Sequence, residues 1–411
     1  MKRIVLFLLI GLSCLAFAAP KEITYLHTGK NPAEIGYAES QLAKDFPGWT
    51  VKPMIVDMST GSTLTMDAML AAGKAPNVYE DSMVRISKYI TPEFALPLNG
   101  LVRDLKQYLD FSSFTRNGKV LAIPGPAGSQ GICLNLDILD EIGYTVPDNW
   151  TVDDFLKMAA MVKAKYSGKK WATGMFAANQ SGDYLIQNWF PAFGAQFFKA
   201  GDYTKSTIRA TGGEKVYSFF QLLAKEGYIP PNSDVLTDDD YAIQWSSQQL
   251  VATAFFPGWL DPYWKTAIDQ GIIKAPFRVK FVPFPRGPGV KAVGTYTNGA
   301  AIVVRKTGTE ADKVAARFAE YLNSPVNQEL ETVNPILPSR KDARIMSTMP
   351  ALGEVLAIVK KGGIYESGIT SPKFPAIRAC QFPILQKVLT FKMTPAEAAL
   401  AYEKAVNEAL K

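Results

Sequence analysis

Short apolar runs and amphipathic stretches alternate along the first eighty positions of the chain. The apolar runs predict strands at 22–27, 51–58 and 75–79. Between the first two predicted strands, a helix is expected to begin at Asn31 and Pro32. Asparagine accepts hydrogen bonds from the free backbone N–H groups of the first turn, and proline has no N–H to satisfy. Gly73 predicts the end of a second helix. Strands that alternate with helices are typical of an α/β fold in which helices cover a parallel sheet.

Proline and glycine interrupt this pattern three times. The interruptions lie at 124–128, 283–289 and 334–339. Further strands are predicted around them, at 119–123, 131–135, 250–255 and 300–304. Three links between two α/β regions predict two lobes of discontinuous segments, with a ligand cleft between the lobes. We expect one lobe to comprise 19–127 and 288–333, and the other to comprise 128–287 and 334–411.

The first 18 residues have the pattern of an export signal. Lys2 and Arg3 precede an apolar run at 4–12, and small residues lead up to Ala18. We therefore expect cleavage after Ala18 and an exported, periplasmic protein. Cys14 leaves a lipid anchor open as an alternative. No later segment is apolar enough to predict a membrane span.

Composition and motifs argue against several function classes. The net charge is +6 and no five consecutive residues are basic, so nucleic-acid binding has no support. The single histidine leaves little for a histidine metal site, and no P-loop, G-x-S-x-G or H-E-x-x-H motif is present. The acidic run 238–240 lacks the spacing of a calcium loop and is interpreted as a helix start. We expect no enzyme activity, no cofactor and no metal, with an exported glycosidase that uses two carboxylates as an alternative.

Two cysteines follow the leader, Cys133 and Cys380. Export would allow a disulfide between them. Two free thiols are the interpretation that we favour, because cysteine commonly packs as a small apolar residue.

Several short motifs occur in a fixed order along the chain. They are Gly73-Lys-Ala-Pro-Asn-Val, Ile123-Pro-Gly, Leu134-Asn-Leu-Asp-Ile-Leu, Asn149-Trp-Thr-Val-Asp-Asp-Phe, Phe256-Pro-Gly-Trp and Thr297-Asn-Gly-Ala-Ala-Ile. In these motifs and in their order along the chain, the sequence resembles the extracellular solute-binding proteins of ABC importers, in the maltose-binding-protein superfamily. Asn77 departs from the aspartate that the family usually has there. The resemblance implies a two-lobe periplasmic-binding-protein type II fold, a sugar or oligosaccharide ligand, a membrane permease as partner and a monomeric state.

The segment VATAFFPGWLDPYW concentrates aromatic residues around two prolines and a glycine. The resemblance implies that Trp259 faces the cleft, where a flat indole covers the C–H face of a sugar ring. Proline and glycine would hold that ring in place before binding. Phe256, Tyr263 and Trp264 are interpreted as core residues.

Polar residues near the ends of the first three predicted strands are candidates on the N-terminal lobe. These are Thr28, Asp57, Glu80 and Asp81. An ionised carboxylate accepts hydrogen bonds from two adjacent hydroxyls, which suits a sugar. Loop solvation or helix capping is the alternative for each of them.

The resemblance adds candidates at the crossings and on the C-terminal lobe. These are Ser129, Tyr184, Trp189, Tyr296, Asn298 and Arg378. Core packing is the alternative for Tyr184 and Trp189. Arg378 replaces a stacking tryptophan of the family, which favours a ligand that needs a fork of donors. A polyamine-like cation, held by Glu80, Asp81 and Trp259, stays open as another ligand class.

Overall fold

The computed structural model describes residues 21–56, 62–108, 114–178, 183–199, 202–291, 293, 295, 297–331, 336–345, 349–363, 367–369 and 371–411. The leader predicted at 1–18, with Cys14, lies outside the described residues. So do Asp57 and Tyr296, and Asn298 is described by its backbone alone.

Strands and helices follow one another along most of the described chain. The strands are β1 (Lys21–His27), β2 (Trp49–Ile55), β3 (Val78–Ser82), β4 (Thr115–Arg116), β5 (Lys119–Val120), β6 (Ile123–Ser129), β7 (Gly131–Asn135), β8 (Phe198–Lys199), β9 (Asp202–Ser206), β10 (Ala252–Phe255), β11 (Val279–Val282) and β12 (Thr297–Val304). The helices are α1 (Pro32–Asp45), α2 (Ser62–Ala71), α3 (Met83–Ile86), α4 (Leu136–Ile142), α5 (Val152–Tyr166), α6 (Asp183–Gln187), α7 (Trp189–Ala192), α8 (Gly213–Lys225), α9 (Asp238–Ser246), α10 (Leu260–Asp269), α11 (Ala311–Leu322), α12 (Pro325–Glu331), α13 (Pro350–Gly362), α14 (Phe374–Ala379), α15 (Gln381–Leu389) and α16 (Pro395–Ala409).

The first sheet has five strands in the order β2-β1-β3-β12-β6. β1 is parallel to β2 and β3, whereas β12 runs antiparallel to β3 and β6, so the sheet is mixed rather than parallel as predicted. α1 and α11 pack against each other beside β1. Tyr25, Val78, Ile302 and Phe318 are buried in the core under these helices. This covering of one sheet face by two helices follows from the alternating pattern of the sequence.

The second sheet is antiparallel and has the order β10-β7-β11. Its surroundings are mostly helical, and α5 begins with a capping box of Thr151 and Asp154. Trp150, just before the cap, packs against Phe155 with ring centroids 6.0 Å apart, which fixes the entry of the chain into the helix. Helices α8, α15 and α16 pack together as a group.

The chain passes from the first sheet to the second at Gln130, which separates β6 from β7. It returns between β11 and β12. The segment predicted as an extended link at 124–128 is instead part of β6. Two prolines are tolerated there because β6 is an edge strand and needs hydrogen bonds on one side only.

Two predictions about side-chain chemistry are settled by the fold. Cys133 is buried, Cys380 is half-buried, and both thiols are free, as predicted. The acidic run forms the first turn of α9, where Asp240 completes a capping box with Thr237. None of the described helices combines the length and the apolar character that crossing a bilayer requires.

Candidate functional site

The aromatic segment forms a tight turn on the second lobe. β10 ends at Phe255, a short 3-10 turn follows at Pro257–Trp259, and α10 begins at Leu260. Proline at the first position of the turn has the backbone angle that such a turn needs and no N–H to leave unpaired. The turn therefore places Trp259 at the junction of a strand and a helix, where its position does not depend on a flexible loop.

Four rings gather at this turn, and we call them the aromatic wall: Tyr184, Phe256, Trp259 and Tyr263. The ring centroid of Trp259 lies 5.0 Å from that of Phe256, 6.2 Å from that of Tyr263 and 6.3 Å from that of Tyr184. Phe256 is buried, as predicted, and its ring packs against those of Tyr184 and Trp259. Trp259, Tyr184 and Tyr263 are half-buried. Half-buried rings with tilted planes leave apolar area accessible, together with phenol and indole groups that can form hydrogen bonds.

Acidic side chains lie close to the wall. Burial raises the pKa of Tyr263, and the nearby carboxylates of Asp239 and Asp238 raise it further. Burial likewise raises the pKa of Tyr184, with contributions from Asp183 and Asp238. Both phenols therefore keep their protons at neutral pH and can donate hydrogen bonds to a ligand oxygen.

Tyr184 is positioned by a buried ion pair. Asp183, directly before it, is 1% exposed and accepts hydrogen bonds from the guanidinium of Arg378, including one of 3.2 Å from Nε to Oδ2. Gln187 Nε2 donates to the same oxygen at 3.2 Å. Burial raises the pKa of Asp183, and the positive charge of Arg378 opposes that rise. The guanidinium of Arg378, which the sequence analysis assigned to a ligand, is thus hydrogen-bonded to Asp183. Arg378 therefore affects the aromatic wall by fixing the start of α6, which carries Tyr184.

Trp189 lies away from the wall, and the prediction of a ligand contact for it is corrected. It is 2% exposed, and its ring is packed among those of Phe155, Phe219 and Phe284 at centroid distances of 5.1–5.5 Å. Tyr184 and Trp189 belong to different helices, since α6 ends at Gln187 and α7 begins at Trp189.

The carboxylates of Glu80 and Asp81 also lie differently from the prediction. β3 extends to Ser82, so both residues are inside the strand rather than after it, and their side chains point to opposite faces. The longer strand follows from pairing with β12, in which Asp81 faces Ala301. Glu80 is 7% and Asp81 is 1% exposed. Neither carboxylate projects from the sheet edge as an isolated acceptor.

Asp81 is held by Arg85, one helical turn ahead. Arg85 donates from Nε at 2.9 Å and from Nη2 at 2.6 Å to Oδ1, and Tyr79 donates its hydroxyl to Oδ2 at 2.6 Å. The Arg85 side chain is 26% exposed, whereas that of Asp81 is fully buried. Arg85 was not among the predicted site residues, although its spacing of four from Asp81 was a readable signal.

Thr28 and Ser129 remain as polar positions on the first lobe. Thr28 is half-buried directly after β1, where the prediction placed it. Ser129 is buried at the end of β6, opposite Thr297 of β12. Next to it, Gln130 is fully buried and donates from Nε2 to the backbone carbonyl of Tyr184 at 2.7 Å. The crossing between the lobes is therefore bonded directly to the aromatic wall, a contact that the sequence did not predict.

Another groove of the surface lies apart from the predicted site residues. A groove of about 760 Å³ lies between α5 and α8, lined by Lys163, Trp171 and Tyr228 among others, and no predicted site residue borders it. It belongs to one lobe only, whereas ligands of two-lobe α/β proteins bind between lobes. In the described part of the chain, no three His, Cys, Asp or Glu side chains are grouped as a metal site would require.

Several solved structures of binding proteins have the same fold. The GacH receptor of Streptomyces glaucescens, crystallised unliganded and with acarbose, has a TM-score of 0.76 at 17% identity and covers 96% of this chain and 99% of its own. The cyclic alpha-maltosyl-1,6-maltose binding protein of Arthrobacter globiformis has a TM-score of 0.76 at 18% identity, with 96% and 100% coverage. The maltose/maltodextrin-binding domain MalE of Bdellovibrio bacteriovorus, bound to maltotriose, has a TM-score of 0.71 at 16% identity, with 94% and 99% coverage. These likenesses establish the two-lobe type II fold.

Sequence comparison identifies the family directly. No curated protein matches the sequence. The profile of bacterial extracellular solute-binding proteins matches residues 40–353, which is well over half of the chain. The chain therefore belongs to the family of bacterial extracellular solute-binding proteins.

Proposed function

We propose that the protein binds a sugar or oligosaccharide between its lobes and delivers it to the permease of an ABC importer. The observation that carries this proposal is the aromatic wall, in which Trp259, Tyr184 and Tyr263 combine accessible ring area with hydrogen-bond donors. A sugar presents C–H groups on its ring faces and hydroxyls around its rim, so this wall matches both of its surfaces. Acarbose and maltotriose, named with two proteins of the same fold, are ligands of this kind.

The rest of the site is proposed on the same basis. The contact set comprises Thr28, Tyr184, Trp259, Tyr263 and Arg85, with Asp57, Tyr296 and Asn298 as candidates that the described side chains do not include. Glu80, Asp81, Ser129 and Arg378 are assigned to support of the site, because their side chains are buried or paired. The lobes proposed at 19–127 with 288–333 and at 128–287 with 334–411 need one adjustment. β6 of the first sheet runs to Ser129, and Leu337 pairs with Ala127 of that strand, so we propose that the first lobe extends to Ser129 and includes the segment around Leu337. The family's extracellular character supports export through the leader at 1–18, with Cys14 as an alternative lipid anchor.

A thermal-shift screen tests the ligand class. We expect maltotriose, acarbose or another oligosaccharide of a carbohydrate panel to raise the melting temperature, because a ligand that binds only the folded state stabilises it by RT ln(1 + [L]/Kd). That amounts to about 2.7 kcal/mol at a concentration of 100 Kd. Spermidine in the same screen tests the polyamine alternative, which Asp238 and Asp239 beside the wall favour. A shift with spermidine and none with any sugar would overturn the proposal.

The glycosidase alternative is tested on the same panel. As a binding protein, the chain should release no reducing sugar from oligosaccharides during prolonged incubation. Sustained release that depends on a pair of carboxylates would assign it to carbohydrate-active enzymes instead.

Closure of the lobes is expected when sugar binds. The backbone change of a hinge is concentrated in a few linker residues, and here the links include Gln130 between β6 and β7. Small-angle X-ray scattering should show a smaller radius of gyration with saturating sugar than without it, and the profile should remain that of a monomer. An unchanged radius at saturation would contradict closure.

A further inference from the structure

The only histidine of the chain, His27, is the last residue of β1. It is 2% exposed and its ring stacks on Tyr25, with centroids 4.9 Å apart and planes 18° from parallel. The proposed contact residue Thr28 follows it directly, and α1 begins at Pro32. His27 is therefore at the point where the first strand ends and the candidate binding edge begins.

Backbone hydrogen bonds to the ring determine its protonation state. The backbone N–H of Lys30 donates to His27 Nδ1 at 2.8 Å, and the N–H of Gly29 donates to the same atom at 3.3 Å. A protonated Nδ1 is a donor and cannot accept either bond. These two bonds favour the neutral tautomer with its proton on Nε2, an atom that is buried and has no hydrogen-bond partner among the described residues. Gly29 has φ +122°, a conformation that L side chains rarely adopt, so this short turn is specified by the glycine as well as by the ring.

The side chain of Lys30 holds the same turn from the other side. Its Nζ lies 3.2 Å from Glu80 Oε1 and 3.8 Å from Glu34 Oε2, and the Lys30 side chain is 5% exposed. Tyr25 donates its hydroxyl to Glu80 Oε2. Among the described residues, the charged and titratable groups around His27 are Tyr25 on β1, Lys30 in the turn, Glu34 on α1 and Glu80 on β3. These groups anchor residues 28–30 to the sheet and to the helix.

We propose that neutral His27 is a positioning residue of the binding site. It holds residues 28–30 in the geometry that presents Thr28 to the ligand. Protonation of His27 releases this turn and weakens ligand capture. The part concerning ligand rests on the proposed function. The part concerning the turn rests on the two hydrogen bonds to Nδ1 and does not need a ligand.

The electrostatic surroundings determine the pH range. Burial lowers the pKa of His27 from its ordinary value, Glu80 opposes this effect and Lys30 adds to it. A histidine with a lowered pKa in the folded state takes up its proton more readily in the unfolded state. Its contribution to stability is therefore complete above about pH 6.5, the ordinary histidine pKa, and decreases as the pH falls below that value. Glu34 acts in the opposite direction, because burial raises the pKa of its carboxyl.

A single histidine makes the test direct. In protein labelled with ¹⁵N-histidine, we expect one pair of ring signals near pH 7.5, with Nδ1 unprotonated and Nε2 protonated. Acidification should protonate Nδ1 and speed amide hydrogen exchange at Gly29 and Lys30. A protonated Nδ1 near pH 7.5, or exchange at these amides that does not respond to titration of the ring, would overturn the proposal.

His27→Asn and His27→Leu separate positioning from packing. The Oδ1 atom of asparagine is bonded to Cγ as Nδ1 is in histidine, and asparagine commonly accepts such local backbone hydrogen bonds without titrating. On going from about pH 7.5 to about pH 5, the urea midpoint should fall less in His27→Asn than in the wild type, or rise more, because Glu34 is present in both and His27 in only one. His27→Leu should show fast exchange at Gly29 and Lys30 at both pH values. Equal pH dependence of the midpoint in wild type and His27→Asn would refute the role of His27.

Maltotriose is the probe for the ligand part. The wild-type Kd should rise about tenfold between about pH 7.5 and about pH 5, equivalent to about 1.4 kcal/mol. In His27→Asn this pH dependence should disappear. A protein that binds no sugar at either pH would contradict the proposed function, while the ring signals and the exchange rates would still decide the role of His27. A wild-type Kd for maltotriose that is independent of pH would remove the link between the turn and capture.

Discussion

Trp259→Ala is expected to weaken sugar binding about thirtyfold to a thousandfold. An aromatic residue at the centre of a binding surface is typically worth about 2–4 kcal/mol, which corresponds to that range of Kd. Trp259 is half-buried and rests on Phe255 and Phe256, with centroids 5.3 and 5.0 Å away. Its truncation should therefore cost less stability than the about 3–5 kcal/mol lost when a fully buried aromatic side chain is removed. Isothermal titration calorimetry and urea denaturation measure the two quantities separately.

Phe256→Ala is the matched control, because the two rings touch but differ in burial. Phe256 is 4% exposed, so its truncation should lower the unfolding free energy by about 3–5 kcal/mol and affect affinity less. Trp259→Phe should retain part of the apolar face and lose less affinity than Trp259→Ala. A large loss of stability in Trp259→Ala with unchanged affinity would make the turn a structural element and remove the basis of the proposed function.

Arg378→Met is expected to lower the unfolding free energy by about 3–5 kcal/mol at neutral pH. Removing one partner of a buried ion pair leaves the other charge desolvated, and Asp183 is 1% exposed. Without Arg378, the effect that opposes the raised pKa of Asp183 is lost, so its pKa should rise further. A carboxyl whose folded-state pKa is raised binds its proton more readily in the folded state. The variant should therefore regain stability relative to the wild type as the pH falls.

The double variant Asp183→Asn, Arg378→Met tests this explanation. Replacing both partners removes the unpaired charge, so most of the lost stability should return. Urea denaturation at about pH 7 and about pH 5 compares the three proteins. If Arg378 instead contacts the sugar directly, Arg378→Met would lose affinity with little change in the urea midpoint. That outcome would reinstate the donor fork predicted from the sequence.

Local features were predictable because their physical causes lie within a few residues. The capping box of Thr394 and Glu397 is formed as the spacing predicts, with Glu397 N donating to Thr394 Oγ1 at 3.3 Å. The aromatic turn is also local, since Pro257 starts it and Trp259 ends it. The order of strands and helices follows from the same short-range patterns, and it was enough to indicate a two-lobe α/β protein.

The roles of the predicted site residues depended on contacts between distant segments. Glu80 and Asp81 lie inside β3 because β12, more than 200 positions later in the chain, pairs with them and lengthens the strand. Arg378 binds Asp183, 195 positions earlier, a contact that the sequence alone did not indicate. Lys30 forms an ion pair with Glu80, 50 positions away, and its backbone N–H donates a hydrogen bond to His27. The sequence shows His27 only as a lone histidine. The sequence by itself determined most of the elements, their caps and the aromatic turn, because hydrogen bonds and side-chain sterics over one helical turn decide them; the length of β3 and the inclusion of 124–128 in β6 depended on pairing with β12. Only the tertiary structure decided which charged groups are buried with partners and which remain accessible, because desolvation depends on what the rest of the chain packs against.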